Sequence, residues 1–192
     1  MTNRAIFLDR DGTLNFDPGY LGEPDKVKLF PEVGEALSTL KNDHHFLLIV
    51  VSNQSGIARG LITKNQVDSV NSRINDLLED HNVEIDAFYY CPFHPEFSDS
   101  ILSKCRKPSP EMLLTAAKDF NIDLAGSYMV GDSVTDIQCG ISAGVKTVLV
   151  QTGEGQDSLS ILQNENNFPS FVAVNLLEAA NFIIKDFSGV SN

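Results

Sequence analysis

The sequence predicts an α/β protein: a doubly wound, Rossmann-like parallel sheet in three layers, α/β/α. Three observations predict it. Apolar strand-like runs alternate with helix-periodic segments along the chain. One run, residues 46–51, is continuously apolar, as a strand covered on both faces should be. Polar residues bunch where the runs stop, and open parallel sheets bind ligands beyond the carboxyl ends of their strands. Residues 1–192 are read as one domain.

Each element has its own signal. Residues 5–8 are an apolar strand that stops at Asp9-Arg10-Asp11-Gly12. Val33, Leu37 and Leu40 recur at helical spacing. After the second strand, Thr63-Lys64-Asn65-Gln66 has the capping-box pattern, and Val67, Val70, Ile74, Leu77 and Leu78 line one face of the helix that follows. Residues 86–91 read as a third strand. Ser109 as N-cap and Pro110 as first helical residue start a helix carrying Met112, Leu113, Ala116, Ala117 and Phe120 on one face. A strand over 128–130 stops at Gly131-Asp132, and a helix over 134–143 is ended by Gly144. Residues 147–150 and 171–174 are strands, and residues 176–187 a last helix. Segments 92–104 and 154–167 read as loops or insertions, too short for a second domain.

Composition narrows the partners. Apolar residues make up 42% and charged residues 21%, a soluble globular balance. Lys plus Arg is 14 against 26 Asp plus Glu, a net charge of -12 that repels nucleic acid and anionic membrane surfaces. No apolar run is long enough to span a bilayer, and the first residues lack the apolar core of an export signal. Three cysteines, Cys91, Cys105 and Cys139, are an odd and sparse set, which argues against a disulfide framework and for a reducing, cytoplasmic setting.

The strand ends carry the chemistry. The first delivers Asp9, Asp11 and Thr13, the second Ser52, Asn53 and Gln54, and the fourth Asp132 with Asp136 close behind. Like charges gathered on one rim are unfavourable unless a proton or a cation is shared among them. Oxygen ligands at a phosphate-handling site suit Mg²⁺, and Arg106-Lys107 bring further positive charge. Asp9 and Asp11 are two apart, so a persisting strand turns both the same way. One can then be a nucleophile and the other a general acid and base. Gly12 allows a tight turn between them and the next segment, and Ser52 with the amides after it can donate to a phosphoryl group.

These residues resemble the four motifs of the haloacid dehalogenase (HAD) superfamily of phosphohydrolases: Phe7-Leu8-Asp9-Arg10-Asp11-Gly12-Thr13-Leu14-Asn15, Val51-Ser52-Asn53-Gln54-Ser55-Gly56-Ile57-Ala58-Arg59-Gly60, Arg106-Lys107-Pro108, and Val130-Gly131-Asp132-Ser133 with Asp136. Asp17-Pro18-Gly19-Tyr20, Ile57-Ala58-Arg59-Gly60 and Tyr89-Tyr90-Cys91-Pro92 are similar to the branch of heptose-bisphosphate and histidinol-phosphate phosphatases, which has only a minimal cap. The resemblance implies a Mg²⁺-dependent phosphomonoesterase acting on a small phosphorylated sugar, with Asp9 as nucleophile and Asp11 as acid and base. It implies Mg²⁺ on the Asp9 and Asp132 carboxylates and the Asp11 carbonyl, and the phosphoryl group on Ser52 and Lys107. Asp136 would support Lys107 or the waters on Mg²⁺. Asn53, Gln54 and Arg106 would contact substrate, and Asp17, Gly19 and Tyr20 would line its entrance. A monomer is implied, with histidinol phosphate as the alternative substrate. The rival readings outside enzymes are a phospho-receiver and a degenerate phosphate-binding protein.

One departure stands out. The branch carries a structural zinc site, Cys-x-His followed by Cys-x-Cys before Arg-Lys-Pro. Here Phe93 and Ser103 replace two of its ligands, leaving Cys91, Cys105 and the displaced His94. Three ligands make a poor closed site, so the expectation is free buried thiols, no zinc, and a loop held by packing of Phe93 and Phe97.

Overall fold

The computed structural model describes residues 2–99, 101–165 and 167–189. The chain ends of the predicted domain, residues 1 and 192, lie outside the described residues. Strands β1 (Ala5–Leu8), β2 (Leu47–Asn53), β3 (Ala87–Cys91), β4 (Tyr128–Gly131), β5 (Lys146–Val150) and β6 (Phe171–Ala173) form one sheet in the order β3-β2-β1-β4-β5-β6. Every pairing is parallel.

The short apolar strands are buried on both faces because alternate residues enter two separate cores. Ile6 and Leu8 join Leu48 and Val50 on one face, while Ala5 and Phe7 join Ile49 and Val51 on the other. Helices α1 (Val33–Ser38), α2 (Lys64–Leu78) and α6 (Leu176–Phe187) cover the first face with Val33, Leu37, Val70, Ile74, Ala179 and Ile183. Helices α3 (Glu111–Asp119) and α4 (Val134–Ala143) cover the second with Met112, Leu113, Ala116 and Cys139.

Thr63 and Gln66 form the predicted capping box, and Gly144 ends α4 at φ 78°. The start of α3 falls one residue later than the sequence suggests. Pro110 is its N-cap, and Ser109 Oγ only accepts a 3.4 Å bond from the Glu111 amide.

Segment 154–167 is a second correction. It contains helix α5 (Gly155–Asn164), packed through Leu162 against Ile137 and Leu149. Its N-cap, Glu154, makes no side-chain capping bond, so the usual start signal is missing.

The cysteines are the third. Cys91 at the end of β3 and Cys105 are joined in a disulfide, 14 residues apart with Cα atoms 5.4 Å from each other. They are not free thiols, and the cysteine count no longer argues for a reducing setting. Cys139 is free and buried. Phe93 packs on the second core, but Phe97 is exposed beneath the Arg59 guanidinium, so segment 92–104 is closed by the disulfide as well as by Phe93. Among the described residues no helix is long and apolar enough to cross a membrane.

Candidate active site

β1 lies between β2 and β4, so the chain leaves it where the sheet's connections diverge to either side. Such a switch point leaves a crevice beyond the strand ends. A cleft of about 820 Å³ lies there, lined by Asp9, Asp11, Ser52, Asn53, Arg106, Lys107 and Asp132 among others.

Lys107 organises the floor. Its Nζ donates to Asp9 Oδ1 at 2.5 Å and to the Val51 carbonyl at 2.8 Å, and pairs with Asp136 Oδ1 at 2.6 Å. Burial would lower the proton affinity of this amine, but Asp136 and Asp9 raise it well above the ordinary lysine value. The Lys107–Pro108 peptide is cis. Asn53 brackets the lysine's backbone: its Oδ1 accepts from the Lys107 amide at 3.0 Å and its Nδ2 donates to the Lys107 carbonyl at 3.2 Å. The side chain expected to touch substrate is therefore engaged in fixing Lys107.

Asp9, Asp132 and Asp136 present carboxylate oxygens within 4.8 Å of one another. Asp132 accepts from the Glu154 amide at 2.8 Å and from Thr13 Oγ1 at 3.4 Å. Burial, then Asp136, pushes its carboxyl up to about 7. Burial pushes Asp9 well above the usual carboxylate range too, with Asp136 and Asp132 adding to the rise and Lys107 opposing it. Asp136 also closes the capping box of α4, its Oδ2 accepting from the Ser133 amide at 3.0 Å and hydroxyl at 2.8 Å. Three carboxylates against one ammonium leave two formal negative charges in a buried space. That donor set fits a divalent hard cation. Asp9 and Asp132 are the suited ligands, since Asp136 is committed to Lys107 and Ser133.

Asp11 is turned away from this cluster. Arg10 Nη2 donates to its Oδ2 at 2.8 Å, Gln54 Nε2 to the same oxygen at 2.8 Å, and Asn15 Nδ2 to Oδ1 at 3.0 Å. Burial alone would raise this carboxyl, but Arg10 and these hydrogen bonds hold it below its ordinary value. Arg10 is itself buried and donates through Nη1 to Asn71 Oδ1 at 3.1 Å. Gln54 also donates to Ser52 Oγ at 2.8 Å, linking the second motif to the first. Two carboxylates lining one cleft with opposite shifts, Asp9 up and Asp11 down, are a common sign of divided roles in catalysis.

Gly12, at φ 88°, has no room for a side chain: a Cβ there would lie 2.2 Å from Asp132 Oδ2. At the entrance, Asp17 Oδ1 accepts from the Gly19 amide at 2.7 Å and so caps its own turn. Tyr20 sits at φ 46°, with its ring against Gly56, where a Cβ would come within 2.8 Å. Arg106 lines the cleft half-buried, with Nη1 buried and without a hydrogen-bond partner. Burial and the neighbouring Arg59 both lower its proton affinity. Among the described residues it pairs with no carboxylate.

Segment 91–105 leads directly into Arg106 and Lys107 and supplies none of its described residues to the cleft lining. Cys91 and Cys105 are joined, Phe93 is partly buried, and His94 Nδ1 accepts from the Glu96 amide at 3.3 Å. Sequence reasoning missed Phe16, Phe30, Thr135 and Glu154, which also line the cleft. Only Phe16 carried a signal: an aromatic directly after the first motif, in an otherwise polar turn.

Residues 104–179 match the family model of HAD-hydrolase-like proteins. The Yersinia pestis D-glycero-beta-D-manno-heptose-1,7-bisphosphate 7-phosphatase is 47% identical over 154 residues, 78% of this chain and 81% of that protein. The Haemophilus ducreyi protein of the same name is 44% identical over 173 residues, 85% of this chain and 94% of that one. Among solved structures, the D,D-heptose 1,7-bisphosphate phosphatase from B. bronchiseptica, complexed with magnesium and phosphate, aligns with a TM-score of 0.84 at 31% identity. The alignment covers 95% of this chain and 99% of that one.

Proposed function

The chain is a phosphatase of the HAD-like hydrolase family, and from that premise we propose that it removes one phosphate from a heptose 1,7-bisphosphate in a Mg²⁺-dependent reaction. The carrying observation is Arg106: a cleft-lining guanidinium with a buried, unpartnered nitrogen and, among the described residues, no carboxylate to neutralise it. It complements a second anionic group on a substrate whose first phosphate sits at Asp9 and Lys107. Histidinol phosphate offers an ammonium instead, which Arg106 and Arg59 would repel.

Asp9 attacks phosphorus in line while Asp11 protonates the departing sugar oxygen, leaving an aspartyl-phosphate. Asp11, then a carboxylate, takes a proton from the water that attacks this phosphorus, and Asp9 is released with inorganic phosphate. The dianionic phosphate raises the proton affinity of Asp11 on arrival and so equips it for the first step. Gln54 aims both Asp11 and Ser52, and Lys107 neutralises charge on the transferring group. Mg²⁺ at Asp9 and Asp132 would supply the remaining positive charge for phosphoryl transfer.

Kinetics on heptose 1,7-bisphosphate and histidinol phosphate, with Mg²⁺ or EDTA, test the reading. A preference for histidinol phosphate sinks the substrate, and undiminished turnover in Asp9→Asn sinks the mechanism. Arg106→Ala should lower kcat/KM on the bisphosphate roughly 10- to 100-fold, the range of a charged hydrogen bond lost.

A further inference from the structure

We propose that Phe16, backed by Phe30, is a specificity-determining residue: its ring is the platform on which the substrate's sugar ring packs. The inference rests on the substrate reading above and adds what recognises the part of the substrate that is not phosphate.

The backbone of Phe16 is held on both sides. Its amide donates to the Lys28 carbonyl at 3.0 Å, and its carbonyl accepts from Asn15 Nδ2 at 2.9 Å. The same Asn15 amide group holds Asp11, so the position of Phe16 is tied to that of the proposed acid and base. Its ring rests on Phe30 with centroids 4.1 Å apart and planes 44° from each other. Phe30 is in turn fixed by its amide on the Leu14 carbonyl at 3.0 Å and packs partly buried on the first core.

Despite this support, Phe16 is 52% exposed, and it faces the cleft that holds Asp9 and Asp11. A large ring left half in water on a backed, pinned segment gains nothing for the fold from its free face. It does suit a ligand with an apolar surface. A sugar ring has polar edges and C–H faces. Its edges and second phosphate are served by Arg106 and the polar lining, and only an apolar wall serves a C–H face. An acyclic phosphate has no such face.

Steady-state kinetics on wild type, Phe16→Ala, Phe16→Leu and Phe16→Trp compare heptose 1,7-bisphosphate with acetyl phosphate, an acyclic phosphoryl donor. The ratio of the two kcat/KM values should fall about tenfold in Phe16→Ala, with the loss carried by KM, as for one aromatic contact of about 1.4 kcal/mol. Phe16→Trp should keep the ratio, and Phe16→Leu, with similar bulk but no flat face, should lose most of it. A ratio unchanged in both Ala and Leu variants overturns the platform, as does a loss carried by kcat alone. If wild type rejects heptose 1,7-bisphosphate, the sugar phosphate that it hydrolyses best takes its place in the ratio. Rejection of the heptose bisphosphate thus overturns the substrate, while the ratio still decides on Phe16.

Discussion

Lys107 Nζ lies 2.6 Å from Asp136 Oδ1, and both side chains are almost fully removed from solvent. The other oxygen of Asp136 caps α4 through Ser133, so the buried cation of the cleft floor is anchored to the start of a helix. The same contact ties the third sequence motif to the fourth.

Removing that anchor should cost stability and rate together. Asp136→Ala breaks a buried pair and a capping box, worth about 3 kcal/mol or more, and should lower the melting temperature by roughly 10 °C. Asp136→Asn keeps capping capacity but not the charge. It should melt nearer to wild type while kcat/KM falls at least about tenfold, because Asp9 is then the one carboxylate paired with Lys107. Differential scanning calorimetry with kinetics separates the two effects.

The raised carboxyls make stability of the metal-free protein depend on pH. Asp132 titrates near 7 when folded and near its ordinary value when unfolded, so between these the folded state binds the extra proton. Stability should then fall as pH rises through this window, with Asp9 contributing in the same direction. Thermal melts in EDTA from pH 4 to 8 should show the decline. Mg²⁺ at about 100 times its Kd should raise the melting temperature at pH 7.5 by roughly 5–10 °C. A melt insensitive to Mg²⁺ contradicts the assignment of Asp9 and Asp132 as ligands.

Asn15 sets the proton affinity of Asp11 from one side. In Asn15→Ala the carboxylate loses one of the bonds that hold it down, and its pKa should rise. Any limb of the pH–rate profile that Asp11 governs then moves to higher pH, whether the group acts as acid or base. Measuring kcat/KM from pH 4 to 9 in both proteins checks this. A profile that drops without moving means that Asn15 serves the fold alone.

The Cys91–Cys105 bridge closes a short loop immediately before Arg106 and Lys107. Loop-closure entropy puts such a bridge at about 3 kcal/mol. Cys91→Ser should therefore melt roughly 10 °C below the oxidised wild type and match the reduced protein. Alkylation and mass measurement without reductant identify the state compared.

Much of this was legible in the chain because the signals were local. β1, β2 and β4 end in the residues that line the cleft, and Thr63-Gln66 and Gly144 mark helix boundaries by their own chemistry. What was missed depends on neighbours distant in sequence. Helix α5 starts without a capping side chain, at Gly155, where a Cβ would strike the Val150 carbonyl at 1.9 Å. Only the strand beside it explains that glycine. The pairing of Cys91 with Cys105 needs β3 and the loop brought together, and spacing does not supply that. The hold of Asn53 on the Lys107 backbone was likewise not legible, because the two residues lie 54 positions apart.

The central place of β1 also bears on the order in which the molecule is made. β1 leaves the ribosome first, but its neighbours β2 and β4 follow at Leu47 and Tyr128. A nascent chain that stops short of β4 has one edge of its innermost strand open, and such an edge invites pairing with other chains. It also holds Asp9 and Lys107 without Asp132. Translation must thus reach Asp132 and Asp136 before the carboxylate cluster exists. Truncation products of this protein should be aggregation-prone and inactive, rather than weakly active.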